Sequence, residues 1–76
     1  MKAFHVREEW SIFLAADTAD RARHYAAVTF FDCRPEDMYV WRIPPCDDLA
    51  AEMTEPGELD WHKCAARLGL RLNEDE

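Results

Sequence analysis

Two short runs of alternating apolar and polar residues, separated by only three charged ones, constrain this chain more than any other feature of its sequence. Lys2-Ala3-Phe4-His5-Val6 places Phe4 and Val6 on one side, the period of two that belongs to a strand. Trp10 to Ala15 is rich in β-formers, with Trp10, Ile12 and Leu14 on one side and Ser11 and Phe13 on the other. The polar connection Arg7-Glu8-Glu9 is short enough for the two runs to pair antiparallel, so a β-hairpin is predicted.

Asp17-Thr18-Ala19-Asp20 then opens a helix. Asp17 or Thr18 caps the free N–H groups, and Asp20 lies near the positive end of the helix dipole. The helix is expected to run to about Phe31 or Asp32, burying Ala19, Ala22, Ala26, Thr29 and Phe30, with Arg21, Arg23 and His24 outside or at the rim. Arg34-Pro35-Glu36-Asp37 reads as a turn. Met38 to Ile43 reads as a third strand, with Met38, Val40 and Arg42 on one face and Tyr39, Trp41 and Ile43 on the other. Pro44-Pro45 ends it, because proline donates no ladder hydrogen bond. A short acidic helix capped by Asp47 is expected over Asp47–Met53, then a break at Glu55-Pro56-Gly57. A last helix is expected from about Glu58 to Leu68, with Trp61, Cys64, Ala65 and Leu68 at helical spacing and Gly69-Leu70 as its C-cap. The connection from the second strand through the helix to the third is long enough for a crossover, which makes those strands parallel.

A chain of this length buries only about 60% of the surface it exposes when unfolded. Large apolar groups must therefore supply the core. Three Trp, four Phe and two Tyr among 76 residues suit that need, since each aromatic side chain buries about 150–250 Å². The fold class is α+β: a three-stranded β-β-α-β sheet on one helix, with one or two C-terminal helical segments. Residues 1–72 form a single domain and 73–76 a frayed acidic tail.

Cys33, Cys46 and Cys64 give an odd count without short paired spacing, which fits a reducing cytosol better than a secreted disulfide scaffold and leaves one intramolecular bridge possible. No CxxC or HxxxH spacing marks a zinc site around His5, His24, Cys33, Cys46, His62 or Cys64. Cys64 reads as a small core residue, and the acids beside Cys46 blunt its thiol. The only glycines are Gly57 and Gly69, so no phosphate-binding loop is present. No cofactor, metal or catalytic residue is expected. The N-terminus reaches Arg7, Glu8 and Glu9 without a long apolar signal region, and no run suits a membrane span.

Charge is distributed unevenly. Residues 43–62 hold six acids, Asp47, Asp48, Glu52, Glu55, Glu58 and Asp60, without one Lys or Arg, and most of the formal −7 lies in the second half. Direct contact with nucleic acid or anionic lipid is disfavoured, and a basic protein surface is the natural partner. Carboxylates three or four apart on a helix lie about 5–6 Å apart on one face, of the order of the spacing of backbone phosphates. The acids thus read either as a phosphate mimic or as a solvated face that serves solubility. The aromatics carry a second signal: Tyr39, Trp41 and Trp10 either go under the C-terminal helix with Trp61 or form an exposed patch for homodimerisation or docking.

In its general character, a short acidic cytosolic domain without an enzymatic motif, the chain resembles the small phage-encoded anti-CRISPR proteins, particularly those acting on type I systems. The stretch Tyr39-Val40-Trp41-Arg42-Ile43-Pro44, preceded by a helix and followed by Asp47, is also similar to short phage proteins. The resemblance implies a non-enzymatic inhibitor in the host cell cytoplasm that binds the basic, DNA-holding surface of a CRISPR-Cas complex. The acids from Asp47 to Asp60 would stand in for phosphates there, with Tyr39 and Trp41 as a desolvated anchor. The other function class the residues allow is a homo-oligomeric phage accessory or regulatory protein whose aromatic surface is the working part.

Overall fold

The computed structural model describes residues 1–31 and 34–69. The alternating runs form strands β1 (Lys2–Arg7) and β2 (Ser11–Ala16), paired antiparallel with Phe4 opposite Leu14 and His5 opposite Phe13. Helix α1 (Ala19–Ala26) starts at the Thr18 cap, whose side chain accepts from the Arg21 N–H at 3.1 Å. Strand β3 (Tyr39–Arg42) returns alongside β1, antiparallel to it. Since β2 also runs antiparallel to β1, β2 and β3 point the same way, with β1 between them.

Helix α2 (Asp47–Ala51), the two-residue strand β4 (Gly57–Glu58) and helix α3 (Trp61–Leu68) complete the α+β fold. The sheet therefore has four strands in the order β3-β1-β2-β4 rather than the expected three. The sequence predicts a break at Gly57 and the start of the last helix at about Glu58. Instead the Leu59 N–H donates to the Phe13 carbonyl at 2.7 Å, holding this segment extended until Asp60 caps α3. A Cβ on Gly57 would stand 2.8 Å from the Met53 methyl, so glycine gives β4 its close approach to that side chain. Gly69 ends α3 at φ 74°, the left-handed cap that the sequence predicts. Leu70 and residues 73–76 lie outside the described residues, as do Asp32 and Cys33.

The sheet is covered on both faces. Phe4, Val6, Ile12, Leu14 and Ala16 pack under α1 with Ala22, Ala26, Ala27 and Met38. Ala3, Phe13 and Ala15 face α2 and α3 with Ile43, Cys46, Ala50, Leu59 and Cys64. The buried stripe of α1 departs from expectation: Ala19 and Thr29 are exposed and Ala27 is buried. At the far end the cause is a switch from α to π winding over Ala27–Phe31, whereas Ala19 is exposed in the first turn, ahead of that switch. Wider turns move each following side chain around the axis, bringing Phe30 and Phe31 against the core. α2 also differs, being shorter than expected and having Asp47 as its first helical residue rather than its cap.

Leu14 is fully buried at the centre of the α1 layer, whereas Val28 projects from the π segment into solvent. Leu14→Ala is expected to lower unfolding free energy by about 2–5 kcal/mol; Val28→Ala should stay within about 0.5 kcal/mol. Urea titration by circular dichroism measures both, and equal losses would contradict this packing.

Candidate functional site

The acids singled out in the sequence do not share one role. Asp47 accepts the Ala3 N–H at 2.8 Å and pairs with Arg42, tying the start of α2 to β1 and β3. Asp48 pairs with Arg67 of α3, which also donates to the Pro45 carbonyl at 3.1 Å. The Arg67 hydrogen bond holds the Asp48 carboxyl below the usual carboxylate range, and Asp48 in turn raises the Arg67 guanidinium. Asp60 caps α3, accepting from the His62 N–H at 2.9 Å and the Lys63 N–H at 3.2 Å. Glu52, Glu55 and Glu58 are exposed and make no ion pair among the described residues. Half of the acidic row is thus engaged inside the fold.

The aromatics are organised on the face that α2 and α3 share. Tyr39 stacks on Trp41 with centroids 6.1 Å apart and planes 18° from parallel, and Trp41 meets His5 at 5.3 Å. The row continues from His5 to Phe13 at 4.9 Å and from Phe13 to Trp61 at 4.6 Å. It crosses β3, β1 and β2 and ends on α3, each contact within the range where rings attract. Cross-strand pairing builds it, since Trp41 lies opposite His5 and His5 opposite Phe13.

Coverage of this face runs out along the row. Phe13 is buried, Trp61 is 39% exposed, Trp41 46% and Tyr39 67%. The open end, lined by Arg7, Glu8, Tyr39 and Trp41, is a groove of about 330 Å³. Trp10 does not join it. It sits on the α1 side at the hairpin tip, packed on Phe31 at 4.7 Å and Phe30 at 6.4 Å, so the three candidate aromatics divide between two faces. Tyr39 lies opposite Arg7 at the hairpin end, while Asp47 holds Ala3 near the other end of β1. Four residues of strand separate these two levels, roughly 13 Å. Tyr39 and Asp47 therefore sit toward different ends of β1.

His5 is the residue that sequence reasoning passed over. Its Nε2 is buried without a hydrogen-bond partner, and burial, reinforced by the Arg7 charge, lowers its pKa below the ordinary 6.5. The signal lay in strand register: only the pairing of β1 with both neighbours shows that one histidine bridges Trp41 and Phe13. Cys46 and Cys64 are free and fully buried between α3 and the segment before α2. Burial first, then its contact with the Cys46 thiol, pushes the Cys64 thiol up to about 12, which keeps it protonated and unreactive at neutral pH.

A second groove of about 590 Å³ lies along α1, lined by Asp20, Arg21, His24, Tyr25, Val28, Thr29 and Pro56. Among the described residues no cluster of three His, Cys, Asp or Glu has the arrangement to hold a metal ion, and no helix is long and apolar enough to cross a membrane. No family model matches the chain, and neither a curated protein nor a solved structure matches it.

The His5 shift gives a pH dependence of defined sign. Between the lowered native value and the unfolded value of about 6.5 the unfolded chain binds the extra proton, so stability is full above that window and falls as pH drops through it. Thermal melts of the wild type are expected to lose more between pH 7 and pH 5 than those of His5→Phe, which keeps a ring in the row and removes the titrating group. Parallel profiles would show that His5 is not the group responsible.

Proposed function

We propose that this chain acts by binding another protein, without catalytic chemistry of its own, and that the Tyr39–Trp41 end of the sheet is its contact surface. One observation carries the reading: two large aromatic side chains stay stacked and exposed on a sheet face that α2 and α3 cover only at its other end. A chain this short has every physical reason to bury such groups. Tyr and Trp are the residues that most often dominate binding energy when an interface covers them. Arg7 and Glu8 beside them supply a polar rim of both signs.

The inhibitor reading implied by the resemblance to anti-CRISPR proteins draws its support from Glu52, Glu55 and Glu58. These exposed carboxylates are free to meet a Lys/Arg-rich, DNA-holding surface of a type I complex. Asp47 and Asp48 contribute less to that reading, because Arg42 and Arg67 already balance their charge. The two surfaces respond to different substitutions and to salt in different ways.

The test compares proteins captured from host extract by the immobilised wild type, by Tyr39→Ser/Trp41→Ser, and by Glu52→Lys/Glu55→Lys/Glu58→Lys. Loss of a hot-spot aromatic weakens binding by about 30-fold or more. The captured partner is expected to be lost by the aromatic variant, with its circular dichroism unchanged, and kept by the charge variant. A partner kept by the first and lost by the second, with steep salt dependence, would overturn the aromatic reading in favour of the acidic one.

A further inference from the structure

β3 is an edge strand, and no described residue pairs along its outer side. The Ile43 N–H donates to the Ala3 carbonyl at 3.0 Å, which makes Ala3 and Ile43 a bonded pair in the antiparallel register that sets His5 opposite Trp41. Bonded and non-bonded pairs alternate in such a ladder. Tyr39 and Trp41 therefore turn their N–H and C=O groups toward β1, and Val40 and Arg42 turn theirs outward. Folded proteins usually blunt such an edge with charge, proline or a bulge. Here β3 itself holds no proline, since Pro35 lies before it and Pro44 after it, and its one charged side chain, Arg42, is paired with Asp47.

We propose that β3 pairs antiparallel with β3 of a second copy of this chain, with the twofold axis at Val40, to form one eight-stranded sheet. The pairing rests on the reading of Tyr39 and Trp41 as a contact surface and names its occupant. Register selects it. With Val40 opposite itself, the outward groups of the two Val40 residues bond to each other. Met38 and Arg42 form the next bonded pairs, and Tyr39 lies opposite Trp41 of the second copy at the close, non-bonded positions. Shifting by two residues in one direction sets Pro44, which has no N–H, opposite Met38. Shifting the other way runs into the 3₁₀ turn at Pro35–Asp37. The Val40-centred register keeps proline out of the ladder and reaches only one residue beyond β3, at Met38, and it is isologous, as a closed dimer requires.

Charge is compatible with this edge and not with the other. Each copy carries a formal −7, but on this side Arg42 is paired with Asp47 and Arg7 stands beside Glu8, and the exposed Glu36 and Asp37 just before the strand come to the Arg42 end of the second copy in this register. Unpaired Glu58 lies in β4, at the opposite edge, with Glu55 just before it. In the paired sheet seven strand spacings, roughly 34 Å, separate the two β4 strands, about four screening lengths at physiological salt. The exposed parts of Tyr39 and Trp41 from both copies offer roughly 400–500 Å² of aromatic surface. That places the contact at the small, reversible end of specific interfaces, below about 1,200 Å² in total.

Sedimentation equilibrium of the full chain under reducing conditions, from about 10 μM to about 1 mM, tests the pairing together with amide hydrogen exchange at both concentrations. The expected result is a mass rising from 8.9 kDa toward twice that value. Concentration-dependent protection should gather at the Val40 and Arg42 amides, and the dimer fraction should rise with added salt, because screening relieves repulsion between like-charged copies. Val40→Pro removes the central outward donor and leaves the β1–β3 bonds intact, so it should weaken association at least tenfold. Tyr39→Lys, at the most exposed position, should do the same should the proline variant fold poorly. A strict monomer at about 1 mM, a dimer unaffected by Tyr39→Lys, or new protection elsewhere would overturn the pairing. A monomer whose Tyr39→Ser/Trp41→Ser variant still loses a different protein partner overturns the pairing alone and leaves the contact surface standing.

Discussion

Everything else in this fold depends on the register between β1 and β2. In a strand pair one residue of slip turns every side chain to the opposite face, and here both faces are buried by different residues. Phe4 and Val6 with Leu14 and Ile12 make the layer under α1, while Ala3 and His5 with Ala15 and Phe13 make the layer under α2 and α3. The second set is graded in size. The Ala3–Ala15 pair lets α2 and α3 settle close to the sheet, and the His5–Phe13 pair beside it raises a wall of rings. Helical cover reaches Phe13 through Trp61 and ends there, leaving Trp41 and Tyr39 exposed.

The acidic residues illustrate how charge serves structure before it serves recognition. Asp47 satisfies a backbone donor of β1 and binds Arg42, Asp48 binds Arg67, and Asp60 caps α3. Each contact is partly or wholly exposed and modest by itself. Asp47 fastens α2 to the sheet at the end of the small alanine pair, Asp48 ties α2 to α3, and Asp60 secures the first turn of α3. Of the exposed carboxylates from the second half that make no ion pair among the described residues, Glu58 lies in β4, at the edge opposite β3, with Glu55 shortly before it.

Much of this was legible in the chain and the rest was not, for definite reasons. The hairpin, a helix start at Asp17 or Thr18, the two faces of the third strand and the Gly69 terminator follow from local patterns of period two or from single capping residues. β4 was missed because two residues have no period, and its pairing with β2 is a contact made across the fold. The π winding at Ala27–Phe31 has no local signature, so helical spacing puts Thr29 in the inner stripe in place of Ala27. For the site, Tyr39 and Trp41 were read on their correct face. The arginine partners of Asp47 and Asp48 escaped because both lie just outside the base-free segment: Arg42 precedes it by one residue, and Arg67 follows it by five. Linear charge counting does not see a pair closed by the fold.

The register makes a direct spectroscopic demand. Because β1 bonds to β3 through Ala3, His5 and Arg7, it bonds to β2 through Phe4 and Val6, which leaves His5–Phe13 and Ala3–Ala15 as the close, non-bonded pairs on that side. Nuclear Overhauser spectra are therefore expected to show Hα–Hα cross-peaks for His5 with Phe13 and for Ala3 with Ala15, and, toward β3, for Val6 with Val40 and for Phe4 with Arg42. Cross-peaks from His5 to Ile12 or Leu14 instead would mean the strands pair one residue out of step, and the graded face, the exposed aromatics and the surface argued from them would go with it.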